Sequence, residues 1–181
     1  EIILNDLEVP QENIIGREGE GLSTLAMTLS ASRLFIAAQA VGLAQGAMEE
    51  AVAYARKRVQ FGKTLSHHAP VQFMIAEMAT GIESARLLTY QTAFLFDQEE
   101  WRKAGTHAAM AKLIASEIAM KVTTDAVQIC GGAGYMRDYP MEKMMRDAKI
   151  TQIYEGTNQV LRNAIALELW KRKDFGRKGR G

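Results

Sequence analysis

A single cysteine, three prolines and three histidines are all that the 181 residues contain of those types. Cys130 has no partner for an internal disulfide, and no Cys/His spacing of the zinc type occurs, so no metal site is expected. Neither sign of charge is in excess: 22 basic residues against 21 acidic ones leave a net charge of +1. That balance removes the electrostatic case for nucleic acid or an anionic membrane surface as a partner. No uninterrupted apolar run approaches the roughly 20 residues that span a bilayer, so no membrane is expected either. A signal-peptide pattern and an initiating methionine are also missing. The sequence begins at Glu1 within a strand-like stretch, which leads to the expectation of a fragment of a longer protein. Its expected location is cytoplasmic, with the mitochondrial matrix as the alternative.

What is present is a globular composition, 48% hydrophobic, long enough for one domain with a core of its own. Residues 2–9 followed by Pro10 read as an imperfectly alternating strand. Gly16, Gly19 and Gly21, with Arg17, Glu18 and Glu20 among them, make a polar connector whose spacing is wrong for a phosphate loop. From about Leu22 to Arg58 the pattern is helical, with Leu34, Ala37, Val41, Ala44, Met48, Val52 and Ala55 recurring at steps of three and four. Gly42 and Gly46 each cost this helix about 1 kcal/mol relative to alanine, which close helix–helix approach would offset. Gln60-Phe61-Gly62 breaks it.

Pro70 opens a second helix, whose stripe is Val71, Met74, Met78, Ile82, Ala85 and Leu88 and which reaches about Phe96. A polar turn over 97–103 precedes a third helix from about Ala104 to Ile129, with Ile114, Ile118, Val122, Ala126 and Ile129 as its face. The glycines after Cys130 stop it. A short helix over 141–149 and a last one over 157–170 complete the set. This order predicts an all-α fold, an antiparallel four-helix bundle with a short extended N-terminal segment, and argues against a Rossmann fold. The predicted divisions are 1–21 as the end of an upstream β-domain with its linker, 22–170 as the bundle, and 171–181 as a tail. The tail holds six basic residues and one acid and reads as solvated or disordered.

Chemistry points to Ile150–Gln159. Glu155 is a lone carboxylate among Ile150, Ile153 and Tyr154, and Gly-Thr-Asn after it suits the first turn of a helix. Burial disfavours a charged carboxylate, and a helix start offers free backbone N–H groups. An acid next to an oxyanion-type donor suits proton abstraction beside a carbonyl. From the residues alone, the first reading of Glu155 is a charge that caps the following helix. Cys130 reads as structural rather than redox-active, since no activating base adjoins it.

Four segments in order resemble the C-terminal domain of the flavin-dependent acyl-CoA dehydrogenases. They are Arg-Leu-Phe-Ile-Ala-Ala-Gln-Ala-Val-Gly-Leu-Ala-Gln at 33–45, Arg-Val-Gln-Phe-Gly-Lys at 58–63, Asp-Ala-Val-Gln-Ile-Cys-Gly-Gly-Ala-Gly-Tyr at 125–135, and Arg-Asp-Ala-Lys-Ile running into Ile-Tyr-Glu-Gly-Thr-Asn-Gln at 146–159. The resemblance implies α,β-desaturation of an acyl-CoA thioester. Glu155 would take the α proton while hydride passes to FAD, and the Glu155 N–H would hold the thioester oxygen. Some members of the family carry the base just before the arginine of the first long helix, where Ser32 stands here, so the carboxylate at 155 is the one available. The resemblance places Arg33 and Gly156 at the acyl-CoA. It places Arg58, Phe61, His68, Gln128, Gly131, Gly132, Thr157 and Gln159 at FAD. Two departures stand out: Ser30 replaces an acid, and Ala69 replaces the glutamine of a His-Gln pair.

The same resemblance implies a homo-oligomer, a tetramer in the parent and a dimer or tetramer for the fragment, and an acceptor like an electron-transfer flavoprotein. The isolated fragment would be inactive. Two alternatives stay open: a related flavoprotein that reacts with oxygen, such as an acyl-CoA oxidase, and a non-catalytic assembly bundle with Glu155 as a cap.

Overall fold

A computed structural model describes residues 1–171. Three long helices dominate: α1 (Gly21–Lys57), α2 (Ala69–Asp97) and α3 (Trp101–Cys130). Three shorter ones follow: α4 (Gly132–Tyr135), α5 (Met141–Thr151) and α6 (Asn158–Lys171). A two-residue hairpin, β1 (Val59–Gln60) with β2 (Lys63–Thr64), links α1 to α2. The path is up, down, up. Arg86 of α2 donates to Gln45 of α1, and Lys121 of α3 pairs with Glu77 of α2. α3 is the central element and packs against α1, α2, α4, α5 and α6.

Small residues make this packing possible. Ala37, Ala40, Val41, Ala44, Ala47, Ala51 and Ala55 line the buried face of α1, and Ala108, Ala111, Ala115, Ala119, Val122 and Ala126 line that of α3. Side chains this short let the two axes approach closely, while the larger Met78 and Ile82 of α2 fill the flank. The stripes of isoleucine and leucine expected from the sequence are partly displaced: Leu34, Val52, Ile114 and Ile118 are only half-buried, and alanines hold the seam. Gly42 and Gly46 do not serve a close crossing. A Cβ at Gly42 would meet nothing within 4 Å, and one at Gly46 only Met144 at 3.8 Å. The tight glycine contacts lie elsewhere, at Gly81 against Ile118 and at Gly134.

Element boundaries follow local chemistry. α1 stops where Arg58 turns extended, and Phe61 and Gly62 both take positive φ, 51° and 77°, closing the hairpin as a type I′ turn requires. Pro70 sits in the first turn of α2. α3 begins at Trp101, three residues before the expected start, because Glu99 at φ 56° reverses the chain abruptly and Trp101 packs edge-on against Phe96. The strand expected over 2–9 does not form. Among the described residues no sheet lies beside it, and Ile2, Ile3, Leu4 and Leu7 stay exposed.

α1 also corrects the reading from uninterrupted runs. One 18-residue window reaches a mean hydropathy of 1.3, so by length and composition alone this helix is apolar enough to cross a bilayer. Alanine raises the mean without forming a visible run of large apolar residues. Residues 172–181, which hold most of the basic tail, lie outside the described residues.

Gly134 offers a test of the packing. A Cβ there would sit 2.7 Å from Cys130 Cβ and 3.0 Å from the Val127 carbonyl oxygen, both on the rigid end of α3. Gly134→Ala is expected to lower unfolding stability by about 1–3 kcal/mol, read from the urea midpoint. An unchanged midpoint would contradict the close approach of α4 to α3.

Candidate active site

Between α5 and α6 the chain reverses over Gln152–Thr157. Glu155 and Gly156 both adopt positive φ, 57° and 91°. Such a conformation costs a glutamate about 1–2 kcal/mol, so surrounding groups must hold it. Two cations do so from two helices. Arg33 of α1 donates its Nε to the Glu155 carbonyl at 3.1 Å, and Lys112 of α3 donates its Nζ to the Gly156 carbonyl at 2.8 Å. Thr157 then caps α6, its Oγ1 accepting the Val160 N–H at 3.3 Å.

The Glu155 carboxylate turns back toward α1, where Ser32 donates its hydroxyl to Oε2 at 2.6 Å. Among the described residues no group accepts the Glu155 backbone N–H. One residue therefore presents a proton acceptor and a free amide donor together. The surroundings differ from those expected. Ile150 and Ile153 are 45% and 49% exposed, and Tyr154 points its hydroxyl to Gln39 at 2.7 Å. Within this chain the carboxylate sits among Ser32, Arg33 and Lys112, because the left-handed turn aims it inward. Gly156 fits against Arg33, since a Cβ there would stand 3.4 Å from its Nη2. Beside Arg33 a cleft of about 250 Å³ opens between α1, α3 and α6, lined in part by Ser30, Trp101, Gly105 and Ile165.

Sequence reasoning missed Lys112, Ser116 and Asn158. Lys112 is 0% exposed. Its Nζ also donates to Asn158 Oδ1 at 3.0 Å, and Ser116 bonds the same amide. The available signal was a lysine and a serine at i, i+4 within an alanine face, positions that bury only groups with partners. Burial, then the nearby Arg33, lower the Lys112 ammonium from its ordinary 10.5 to about 8, while Glu155 opposes the shift. Burial likewise disfavours the charge on Arg33, against the attraction of Glu155.

The sign of the consequence is fixed. Between about pH 8 and 10.5 the unfolded chain holds a proton on Lys112 that the folded chain has released, so stability rises with pH across that window. Unfolding midpoints of wild type and Lys112→Met should therefore diverge in favour of wild type from pH 8 to pH 10. A constant difference would contradict the lowered value.

The proposed cofactor residues fall into two groups. Thr157 and Gln159 adjoin Glu155. Arg58, Phe61 and His68 gather at the hairpin: Phe61 is 93% exposed at its tip, stacked edge-on to His68, whose Nε2 bonds the Gln60 carbonyl at 3.1 Å. Gln128, Gly131 and Gly132 lie at the C-terminal end of α3, exposed, with open space where either glycine's Cβ would stand. α1 and α3 run parallel, so the hairpin and the glycine turn share one end of the bundle. Arg33 and Arg58 are 25 residues apart along α1, about 37 Å at 1.5 Å per residue. The Arg58 guanidinium, unpaired among the described residues, the exposed aromatic and the bare glycine backbone at the hairpin end fit the pyrophosphate and adenine portion of a dinucleotide cofactor. Cys130 is buried there, its thiol pushed up to about 11 by burial, and stays protonated. Among the described residues no cluster of His, Cys, Asp and Glu could hold a metal.

The sequence model described as acyl-CoA dehydrogenase, C-terminal domain, matches residues 19–169. The cyclohex-1-ene-1-carbonyl-CoA dehydrogenase of Geobacter metallireducens is 57% identical over 162 residues, which are 90% of this chain and 42% of that protein. A short-chain-specific acyl-CoA dehydrogenase of Megasphaera elsdenii is 49% identical over 160 residues, 88% of this chain and 41% of its own length. Butyryl-CoA dehydrogenase from Megasphaera elsdenii superposes with a TM-score of 0.89 at 46% identity, over 93% of this chain and 43% of that one. A chain from a structural study of the electron transferring flavoprotein of Acidaminococcus fermentans gives 0.90 at 52% identity, over 94% of this chain and 44% of its own. The chain thus spans about two fifths of the length of the curated relatives it matches.

Proposed function

The chain belongs to the acyl-CoA dehydrogenase family, as its C-terminal domain, and from that premise we propose that it supplies the base and part of the cofactor site for α,β-desaturation of an acyl-CoA thioester. One observation carries the reading: Glu155 offers a carboxylate and an unclaimed N–H side by side on a turn clamped by Arg33 and Lys112. The carboxylate takes the α proton. The Glu155 amide donates to the thioester oxygen as negative charge develops there, the point at which a fixed dipole contributes most. Ser32 keeps the carboxylate oriented through one oxygen and leaves lone pairs free for the proton. The cleft beside Arg33 receives the thioester's CoA side. FAD, when bound, takes up the β hydride.

Since Arg58 and Phe61 lie about 37 Å along α1 from Arg33 beside Glu155, an FAD held there would serve the Glu155 of another copy, which favours a homo-oligomer. Phe73, Leu87, Tyr90 and Phe94, all exposed along α2, supply apolar surface for that assembly. An acceptor like an electron-transfer flavoprotein would reoxidise the cofactor. The test is anaerobic addition of short, medium and branched acyl-CoA thioesters to the full-length FAD protein. Bleaching of the yellow flavin band supports the reading, and a band that persists with every thioester rejects it.

A further inference from the structure

Lys112 lies outside every motif that carries the family likeness, yet it is the largest fully buried side chain among the described residues. Burying an ammonium is unfavourable unless its charge is met. A lysine needed only to fill the α1–α3 seam would do better as an apolar residue, as its neighbours Ala108, Ala111 and Ala115 illustrate. What the amine touches gives a reason for it. It bonds the Gly156 carbonyl at 2.8 Å and the Asn158 side chain at 3.0 Å. Asn158 is the first residue of α6, and its own N–H returns to the Gln152 carbonyl at 3.0 Å, closing the loop that carries Glu155. Arg33 meanwhile bonds the preceding carbonyl, that of Glu155. Consecutive carbonyls of two left-handed residues are thus fixed by cations from two different helices. Releasing either carbonyl frees the backbone torsions of the turn, so that Glu155, with its carboxylate and N–H, is no longer held in one place.

We propose that Lys112 is a positioning residue for the base: together with Asn158 it locks the Glu155–Gly156 turn, and so sets where the Glu155 carboxylate and amide meet the substrate. Lys112 itself touches neither substrate nor cofactor. The proposal rests on Glu155 acting as the base, and its test separates the two ideas.

Lys112→Met keeps the volume and removes the donor. Lys112→Gln keeps one donor and serves if the first variant folds poorly. Thr123→Ala is the structural control, since Thr123 is buried on the same helix but bonds only the α3 carbonyls of Ala119 and Met120. In the full-length FAD protein, Lys112→Met should lower the limiting rate of flavin reduction by about 10–100-fold, the scale of a misplaced catalytic group, with thioester affinity changed less than about threefold. Lys112→Gln should fall between Met and wild type. Amide hydrogen exchange of the 150–161 segment, measured without substrate, should be at least tenfold faster in Lys112→Met. Thr123→Ala should keep a wild-type reduction rate whatever its stability. Equal reduction rates and equal exchange in wild type and Lys112→Met would overturn the proposal, as would losses in Thr123→Ala that match those of Lys112→Met. If wild type itself never bleaches, the functional reading falls, and amide exchange alone decides whether Lys112 locks the turn.

Discussion

Glu155→Gln in the full-length protein should leave a yellow, FAD-loaded enzyme whose reduction by an acyl-CoA thioester is slower by about 10²–10⁴-fold, the usual contribution of a positioned base. The substitution is nearly isosteric. The amide oxygen can still accept from Ser32, and the Glu155 carbonyl remains bound to Arg33, so the turn survives. What disappears is the ability to accept a proton. A reading of Glu155 as the cap of α6 predicts the opposite: a small change in stability and none in flavin reduction. The geometry already disfavours that reading. Thr157 makes the capping bond, and the carboxylate points to Ser32 rather than to the first amides of α6. Anaerobic stopped-flow at the flavin band decides the matter, and a variant that bleaches as fast as wild type contradicts the assignment.

Gly156→Ala should have the second-largest effect. A left-handed φ of 91° is poorly accessible to any residue with a Cβ. The new methyl would also stand 3.4 Å from Arg33 Nη2 and 3.5 Å from Leu161 Cδ2. Backbone strain of about 1–3 kcal/mol would be relieved by rotating the 155–156 peptide, which pulls the Glu155 carbonyl off Arg33. A shift of about 1 Å costs on the order of 10² in rate. The cofactor should stay bound through Arg58, Phe61 and the glycine turn, about 37 Å away along α1, even where Thr157 and Gln159 shift with the turn. Flavin content equal to wild type with a roughly hundredfold slower reduction is the expected pair of measurements. A rate within threefold of wild type would show that the turn tolerates the methyl and that its conformation does not position the base.

Much of the helical order was legible because helix signals are local. Pro70 announced α2, the glycines at 131–132 ended α3, and threefold and fourfold spacing fixed the faces. Contacts remote in sequence were not legible. The expectation that Gly42 and Gly46 mark a close crossing failed because alanines carry the α1–α3 seam and leave Gly42 facing out. The N-terminal strand failed because a strand exists only with a partner, and pairing is not written in the segment itself. Phe61-Gly62 read as a plain break, although an aromatic in the left-handed region before glycine is what a tight hairpin turn holds.

At the site, the motif singled out Glu155, but its surroundings came from 32, 33 and 112, on helices that only folding brings together. Ser32 was read as unable to replace a carboxylate, yet it donates to one. Lys112 leaves no mark in a pattern of apolar positions, because a charged residue interrupts such a stripe rather than extending it. The cofactor residues stand in two groups, at the Glu155 turn and at the hairpin end, a separation that the length of α1 sets.

The central claim is that Glu155 removes the α proton. It is tested most directly by α-hydrogen exchange of a bound acyl-CoA thioester in heavy water, followed by mass spectrometry for the full-length protein and its Glu155→Gln variant. The account predicts solvent deuterium at the α carbon with wild type, and none above the uncatalysed level with the variant. Exchange at the same rate in both would contradict it.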